Sequence, residues 1–315
     1  MKVIFMGTPA FALPSLDALI KNHDVLAVLT QPDRPAGRGH KLMPSLIKQL
    51  AEKNNIPVLQ PNTLRLAESR EIRAHLKKLG ADIFVVAAYG LLLPTGVLNM
   101  PQYGCVNVHA SVLPRYRGAS PIHSALLGGD DETGITIMQM DSGIDTGDII
   151  SVGKIKILQD ERFTSLHDRL AELGGGLLLS ALEDINNGKA IRTPQDDSLS
   201  TYAPMIKKSD ALINWSLSVR EIKNLTRAFD PSPGPYTYYR EQAVKIWGVE
   251  EASFAFDGDV GAGTILCASA GDGLIVKAGD GCVRVTELQA LNGKRLPAGD
   301  YLRGRGFDVG GLFKG

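Results

Sequence analysis

Three side chains in this sequence could hold a proton and a developing negative charge between them: Asn107, His109 and Asp145. The first two stand in CVNVHASVLPRYRGASPI, residues 105–122. Its apolar start reads as a strand, and alternation puts Asn107 and His109 on one face and Val106 and Val108 on the other. Residues 111–118 carry too much Pro, Gly and Arg for regular structure, so the strand opens into a loop. Pro121 suits the first turn of a following helix. Polar groups at the carboxyl end of a strand, beside a loop, lie where open α/β sheets place their chemistry. A second strand end follows the apolar run 135–140, in MDSGIDTGD, and makes Asp145 a candidate to reach His109. An amide is a neutral donor that does not titrate, and a carboxylate beside an imidazole favours its protonated form. Taken singly, Asn107 and His109 fit equally well as half-buried polar groups satisfied by backbone. The loop beside them favours a site.

The elements that must position this trio read as an α/β chain. Residues 3–6 are a buried strand, and Thr8 can cap the helix that carries Leu16, Leu19 and Ile20. Residues 25–30 form a second strand. No G-x-G-x-x-G follows the first strand, which disfavours a nicotinamide or flavin site. Residues 31–44, QPDRPAGRGHKLMP, read as a loop, basic through Arg34, Arg38, His40 and Lys41. Such a run is either a solvated face or a mobile arm for phosphate. Residues 45–54 are helical, 57–60 a short strand and 64–79 a charged amphipathic helix. The continuous apolar run 83–88 suits a strand covered on both faces. Helix 121–127, strands 134–140 and 149–157 and helix 164–185 complete the pattern. Gly174-Gly175-Gly176 in that last helix lacks the strand and the Lys-Ser/Thr tail of a phosphate cradle, so close helix packing explains it better.

The 315 residues are more than one compact domain usually holds. We expect an amino-terminal domain over 1–190, a linker over 191–207 and a smaller domain over 208–315. Residues 194–201 are polar and mark the linker, and Lys207 and Lys208 lie just beyond that stretch. The last third carries short strand-type runs at 243–249, 263–268, 274–277 and 283–288 between Gly-rich turns, as in a small β-barrel. Tyr236, Tyr238 and Tyr239 could stack bases but alternate like ordinary strand residues. Net charge is zero, evidence against a surface coated for nucleic acid but not against local basic patches. Cys105, Cys267 and Cys282 cannot all pair and show no metal spacing, so a reducing, cytoplasmic compartment without structural zinc is expected. A metal site through His109 and Cys105 would have only two ligands on one strand face. No stretch is apolar enough to span a membrane.

NVHASVLPRYRGASPI with the later MDSGIDTGDI is similar to the 10-formyltetrahydrofolate-dependent formyltransferases. Their pattern is Asn-x-His, Ser-Leu-Leu-Pro, an Arg-Gly loop and Asp-x-Gly; Val112 stands where the family usually has Leu. The resemblance implies a doubly wound, mostly parallel, Rossmann-like sheet domain followed by an OB-like barrel domain that contacts tRNA. It implies Asn107, His109 and Asp145 as catalytic residues, with no metal. Formyl transfer to an amine develops an oxyanion, to which Asn107 and a protonated His109 could donate. Asp145 could orient His109 or take the amine proton through water. Ser111, Val112, Leu113 and Pro114 resemble the folate-binding segment. Tyr89, Gly90 and Leu91 would line the folate pocket through backbone groups, or be a packing turn. Arg115 and Arg117 could meet the folate glutamate tail or tRNA phosphate.

The loop 31–44 resembles one that initiator-tRNA formyltransferases insert after the second strand, with Arg38 as a wedge against the acceptor stem. The expected tRNA-binding residues are thus Arg34, Arg38, His40, Lys41, Lys207 and Lys208. The expected activity is transfer of a formyl group from 10-formyltetrahydrofolate to the α-amino group of methionine on initiator tRNA. The rival acceptors are a sugar-nucleotide amine, glycinamide ribonucleotide or water. A reading of another class is a non-catalytic RNA-binding protein.

Overall fold

The computed structural model describes residues 1–36, 41–256 and 258–315. They divide into two compact units, and the division is not simply consecutive. The first holds Met1–Pro121, Glu132–Lys156 and His167–Ala203; the second holds Ile122–Asp131, Ile157–Leu166 and Pro204–Gly315.

The first unit is built on a seven-stranded sheet. Its spatial order is Ile149–Lys156, Glu132–Gln139, Cys105–His109, Ile83–Ala87, Lys2–Gly7, Asp24–Leu29, Val58–Leu59. The five strands from Cys105–His109 onward pair in parallel. The other two add antiparallel. This is the doubly wound, mostly parallel sheet the sequence implies. Lys2–Gly7 and Ile83–Ala87 are buried along nearly their whole length because both of their faces are covered, which is why they read as unbroken apolar runs. Ile149–Lys156 alternates between half-buried and exposed, as an edge strand does. Strand order reverses on either side of Lys2–Gly7, so the carboxyl ends of Lys2–Gly7, Ile83–Ala87 and Cys105–His109 flank the crevice where such sheets bind ligands.

Local expectations differ from the structure in three places. Thr8 caps no helix: the helix proper is Leu13–Asn22, entered through a short 3-10 turn at Ala10–Ala12. The Thr8 hydroxyl instead donates to the Tyr89 carbonyl at 3.2 Å and accepts the Gln31 amide at 3.2 Å, tying three strand ends together. The charged helix starts later than its pattern suggests, at Arg70, and ends at Gly80 in the left-handed region. Part of the loop 31–44 is a ladder, with Arg34 opposite Met43 and Pro35 opposite Leu42. A two-stranded ladder tolerates Pro35 because no third strand needs its missing N–H. Lys48 anchors the entry to this ladder through Asp33 (2.8 Å) and Gln60 (2.9 Å).

In the second unit an antiparallel sheet runs Ile265–Ser269, Gly273–Lys277, Cys282–Ala290, Gln242–Ala252, Tyr236–Tyr239, Phe313–Lys314. Its two ends meet: the Ile265 N–H donates to the Gly311 carbonyl (2.8 Å) and the Phe313 N–H to the Gly263 carbonyl (2.9 Å). The curled sheet encloses Val244, Ile246, Val276, Val285, Leu288 and Phe313. Thr237 is buried between its tyrosine neighbours, and Tyr239 packs edge-on against Phe307 and Phe313, as ordinary strand residues would. Among the described residues no helix is long and apolar enough to cross a membrane.

Candidate active site

Asn107 and His109 sit at the carboxyl end of Cys105–His109, two residues apart and on one face. The Asp145 carboxylate lies against both. Its Oδ1 accepts from Asn107 Nδ2 at 3.3 Å, and its Oδ2 lies 3.5 Å from His109 Nδ1. The Gly118 N–H donates to the same Oδ2 at 2.8 Å. His109 Nε2 is 2.9 Å from the Tyr116 carbonyl. A carbonyl only accepts, so Nε2 carries the proton there. Both ring nitrogens thus face acceptor oxygens. The side chains of His109 and Asp145 are 6% and 15% exposed, so the pair is largely shielded from solvent.

The backbone is bent to make this meeting. Ala88, Tyr116 and Asp145 all hold left-handed φ, at 47°, 60° and 54°. Non-glycine residues avoid that region, and they gather at sites where the surrounding structure holds them. Gly118 is left-handed too, and a Cβ there would lie 2.7 Å from the Ala203 carbonyl. At Gly147 a Cβ would lie 1.8 Å from the Gln139 carbonyl, so the Asp145 loop closes on the sheet only with glycine at that position.

The other expected site residues are placed as follows. Ala88 and Gly90 are exposed on either side of buried Tyr89, with Leu91 half-buried. Burial pushes the Tyr89 hydroxyl well above its ordinary pKa, and that hydroxyl has no hydrogen-bond partner among the described residues. Ser111 is fully buried; its hydroxyl donates to the Arg115 carbonyl at 2.6 Å and so belongs to the loop's interior. Leu113 is buried and its N–H donates to Thr136 Oγ1 at 3.1 Å, which leaves Val112 and Pro114 to present surface. Arg115 is exposed, with its guanidinium over the Tyr116 ring. Arg117 is buried and paired with Gln195 and Asp197, so it supports the loop. Arg34 is exposed and donates to Gln31. Lys207 and Lys208 are exposed in the second unit. Arg38 and His40 lie outside the described residues, as does the Lys41 side chain. Among the described residues no group of His, Cys, Asp and Glu could hold a metal.

Sequence reasoning missed the floor of the site. Gln195, in the stretch expected as a linker, donates to the carbonyls of Asp145 (2.9 Å) and Gly147 (2.7 Å). Tyr202–Ala203 pairs with Arg117–Gly118 as a short parallel ladder. The stretch up to Ala203 is thus part of the first unit. A strap whose polar side chains are bonded to backbone has the same composition as a solvated linker.

Comparison with known proteins places these features. The formyl transferase profile matches residues 1–182, and the formyl transferase C-terminal domain profile matches residues 205–306. A methionyl-tRNA formyltransferase of Citrifermentans bemidjiense is 46% identical over 313 residues, covering 99% of this chain and 96% of its own. One from Delftia acidovorans is 47% identical, covering 100% and 98%. Among solved structures, a sugar 3N-formyl transferase, WlaRD, crystallised with dTDP and 5-N-formyl-THF, aligns with a TM-score of 0.66 at 22% identity, over 93% of this chain and 99% of its own. HypX from Aquifex aeolicus, in complex with tetrahydrofolic acid, aligns with a TM-score of 0.61 at 17% identity; it covers 96% of this chain, which spans about half (47%) of HypX.

Proposed function

This chain belongs to the formyl transferase family, and on that premise we propose that it carries a formyl group from 10-formyltetrahydrofolate to the α-amino group of methionine on initiator tRNA. The setting is the cytoplasm, where translation starts. The observation that carries the reading is the convergence of an amide, an imidazole and a carboxylate at one strand end, with 3.3 Å and 3.5 Å separations.

A reduced folate fits the crevice on the chemistry of its lining. Residues 88–91 leave the sheet ladder with left-handed φ at Ala88 and Gly90, both exposed beside the strand ends, while the Tyr89 carbonyl is taken by Thr8 and Gln31. Backbone at such positions suits the donor and acceptor edge of a flat heterocycle. Val112 and Pro114 supply half-buried apolar surface. When bound, the folate supplies the formyl carbon.

Asn107 uses one amide hydrogen on Asp145 and directs the other to the formyl oxygen as negative charge builds there. A protonated His109, set between Tyr116 O and Asp145, gives one proton to the departing folate nitrogen. Asp145 fixes the ring and receives, directly or through water, the proton that the attacking amine loses. One C–N bond forms as the other breaks, and the proton count is conserved.

Exposed Arg34, Lys207 and Lys208, together with Arg38, His40 and Lys41, supply cations for the tRNA backbone. A formylation assay with charged initiator tRNA tests the acceptor. Transfer is expected, with a KM that rises steeply with salt. No transfer to tRNA, with turnover on a sugar-nucleotide amine or glycinamide ribonucleotide, ends the claim.

A further inference from the structure

We infer that Gln195 is a positioning residue for the reaction: its amide holds the left-handed backbone of Asp145 so that the carboxylate faces His109 and Asn107. This rests on the catalytic reading of those three residues and goes beyond it by naming what holds them.

Four bonds of one amide carry the argument. Both Gln195 N–H donors are used, on the carbonyls of Asp145 at 2.9 Å and Gly147 at 2.7 Å. Its oxygen accepts from Arg117 Nε at 3.0 Å and Nη2 at 2.9 Å. Arg117 Nη2 also reaches Asp197 Oδ1 at 2.8 Å, and the Arg117 N–H donates to the Thr201 carbonyl at 2.9 Å. Gln195 is therefore clamped from behind and grips the Asp145 loop from in front. It is half-buried in a run of exposed neighbours.

The loop's own bonds run from the Gly143 N–H and the Thr146 hydroxyl to Asp141 Oδ1, and the grip of Gln195 falls on the Asp145 and Gly147 carbonyls beside them. Residues 141–148 form no helix or strand. Asp145 stands at φ 54°, a left-handed conformation uncommon for non-glycine residues, though aspartate takes it more readily than most. Its two carboxylate oxygens meet Asn107, His109 and Gly118, so a small rotation of the Asp145 peptide moves all three contacts at once. Gly118 follows directly on Arg117, the other partner of Gln195. One side chain thus sets both the carboxylate and the N–H that the carboxylate accepts. Reacting groups displaced by about 1 Å lose on the order of 10²-fold in rate.

The test uses the full chain with Gln195→Ala, Gln195→Glu and Asp145→Ala. For Gln195→Ala, kcat is expected to fall on the order of 10²-fold while KM for the folate is unchanged. Gln195→Glu separates the two halves of the clamp. It keeps acceptor oxygens for Arg117 but presents a carboxylate to two carbonyls, so it is expected to be as slow as Gln195→Ala. A wild-type kcat in either Gln195 variant overturns the inference; in Gln195→Glu it would make Gln195 a partner of Arg117 alone. A loss confined to KM, or a lowered unfolding midpoint with full kcat per folded molecule, also overturns it. Asp145→Ala keeps the two readings apart. If it retains full kcat, the catalytic trio fails and this inference falls with it. If it is inactive while Gln195→Ala is fast, only the role of Gln195 falls.

Discussion

Each unit contains a partly buried polar network, and the two are built to opposite ends. In the second unit Asp230, with a side chain 8% exposed, meets Arg162 and Arg295, while Glu287 meets the same two guanidinium groups. Two negative and two positive charges cancel, and the Arg295 guanidinium rests on the Trp247 ring at 4.9 Å. The network is closed on itself. In the first unit a single carboxylate faces an imidazole and an amide, on a backbone in a disfavoured conformation. A closed network holds a fold. An open one, with hydrogen-bonding capacity directed into a crevice, is suited to chemistry.

Substitutions should separate the two. His109→Ala and Asn107→Ala are expected to lower kcat by at least about 10²–10³-fold each, with folate binding and unfolding midpoint preserved; near-normal rates in both would remove them from the site. Asp230→Ala is expected to do the reverse. It removes the charged hydrogen bonds to Arg162 and Arg295, leaving both, each about a third exposed, with Glu287 alone, and should cost roughly 1–3 kcal/mol in urea unfolding, with kcat per folded molecule unchanged. A large kcat loss there would erase the contrast between the networks.

A finer test lies in pH. The Arg295 guanidinium, helped by Arg162, holds the Glu287 carboxyl below its usual range. A carboxyl depressed in the folded chain contributes stability that is complete above its unfolded value and vanishes as pH falls through the folded value. Wild type should therefore exceed Glu287→Gln at neutral pH and lose that margin in acid, where both are titrated by urea. Because Glu287 is a third exposed, the margin should be under about 1 kcal/mol. The smallest effect is on thiols. Burial pushes Cys105 up to about 12, so a thiol reagent should modify half-exposed Cys267 first and Cys105 only on unfolding. Early reaction at Cys105 would mean that the strand carrying the site opens readily.

What the sequence disclosed follows from how far apart the interacting partners lie. Asn107 and His109 were visible because alternation along one strand is local, and Asp145 because its Gly-rich turn follows an apolar run. Gln195 was invisible: it lies 50 residues from Asp145 and 78 from Arg117, among side chains that read as solvated. The Tyr116 carbonyl and Gly118 N–H are backbone groups, which have no letter of their own. Thr8 was misassigned for a related reason. A hydroxyl before a helix reads as a cap, but here the converging strand ends offered it better partners. Arg117 looked like a cation for a ligand, yet burial gives it to the loop.

Val108, between the two catalytic candidates in sequence, points away from them, and on that side Gly174 of the helix Phe163–Asn186 comes so near that a methyl there would stand 2.9 Å from its Cγ1. A Gly174→Ala substitution alters no residue on the working side of the sheet, yet its methyl would push the strand from behind, so the packing on the far face sets where the strand's two polar side chains stand.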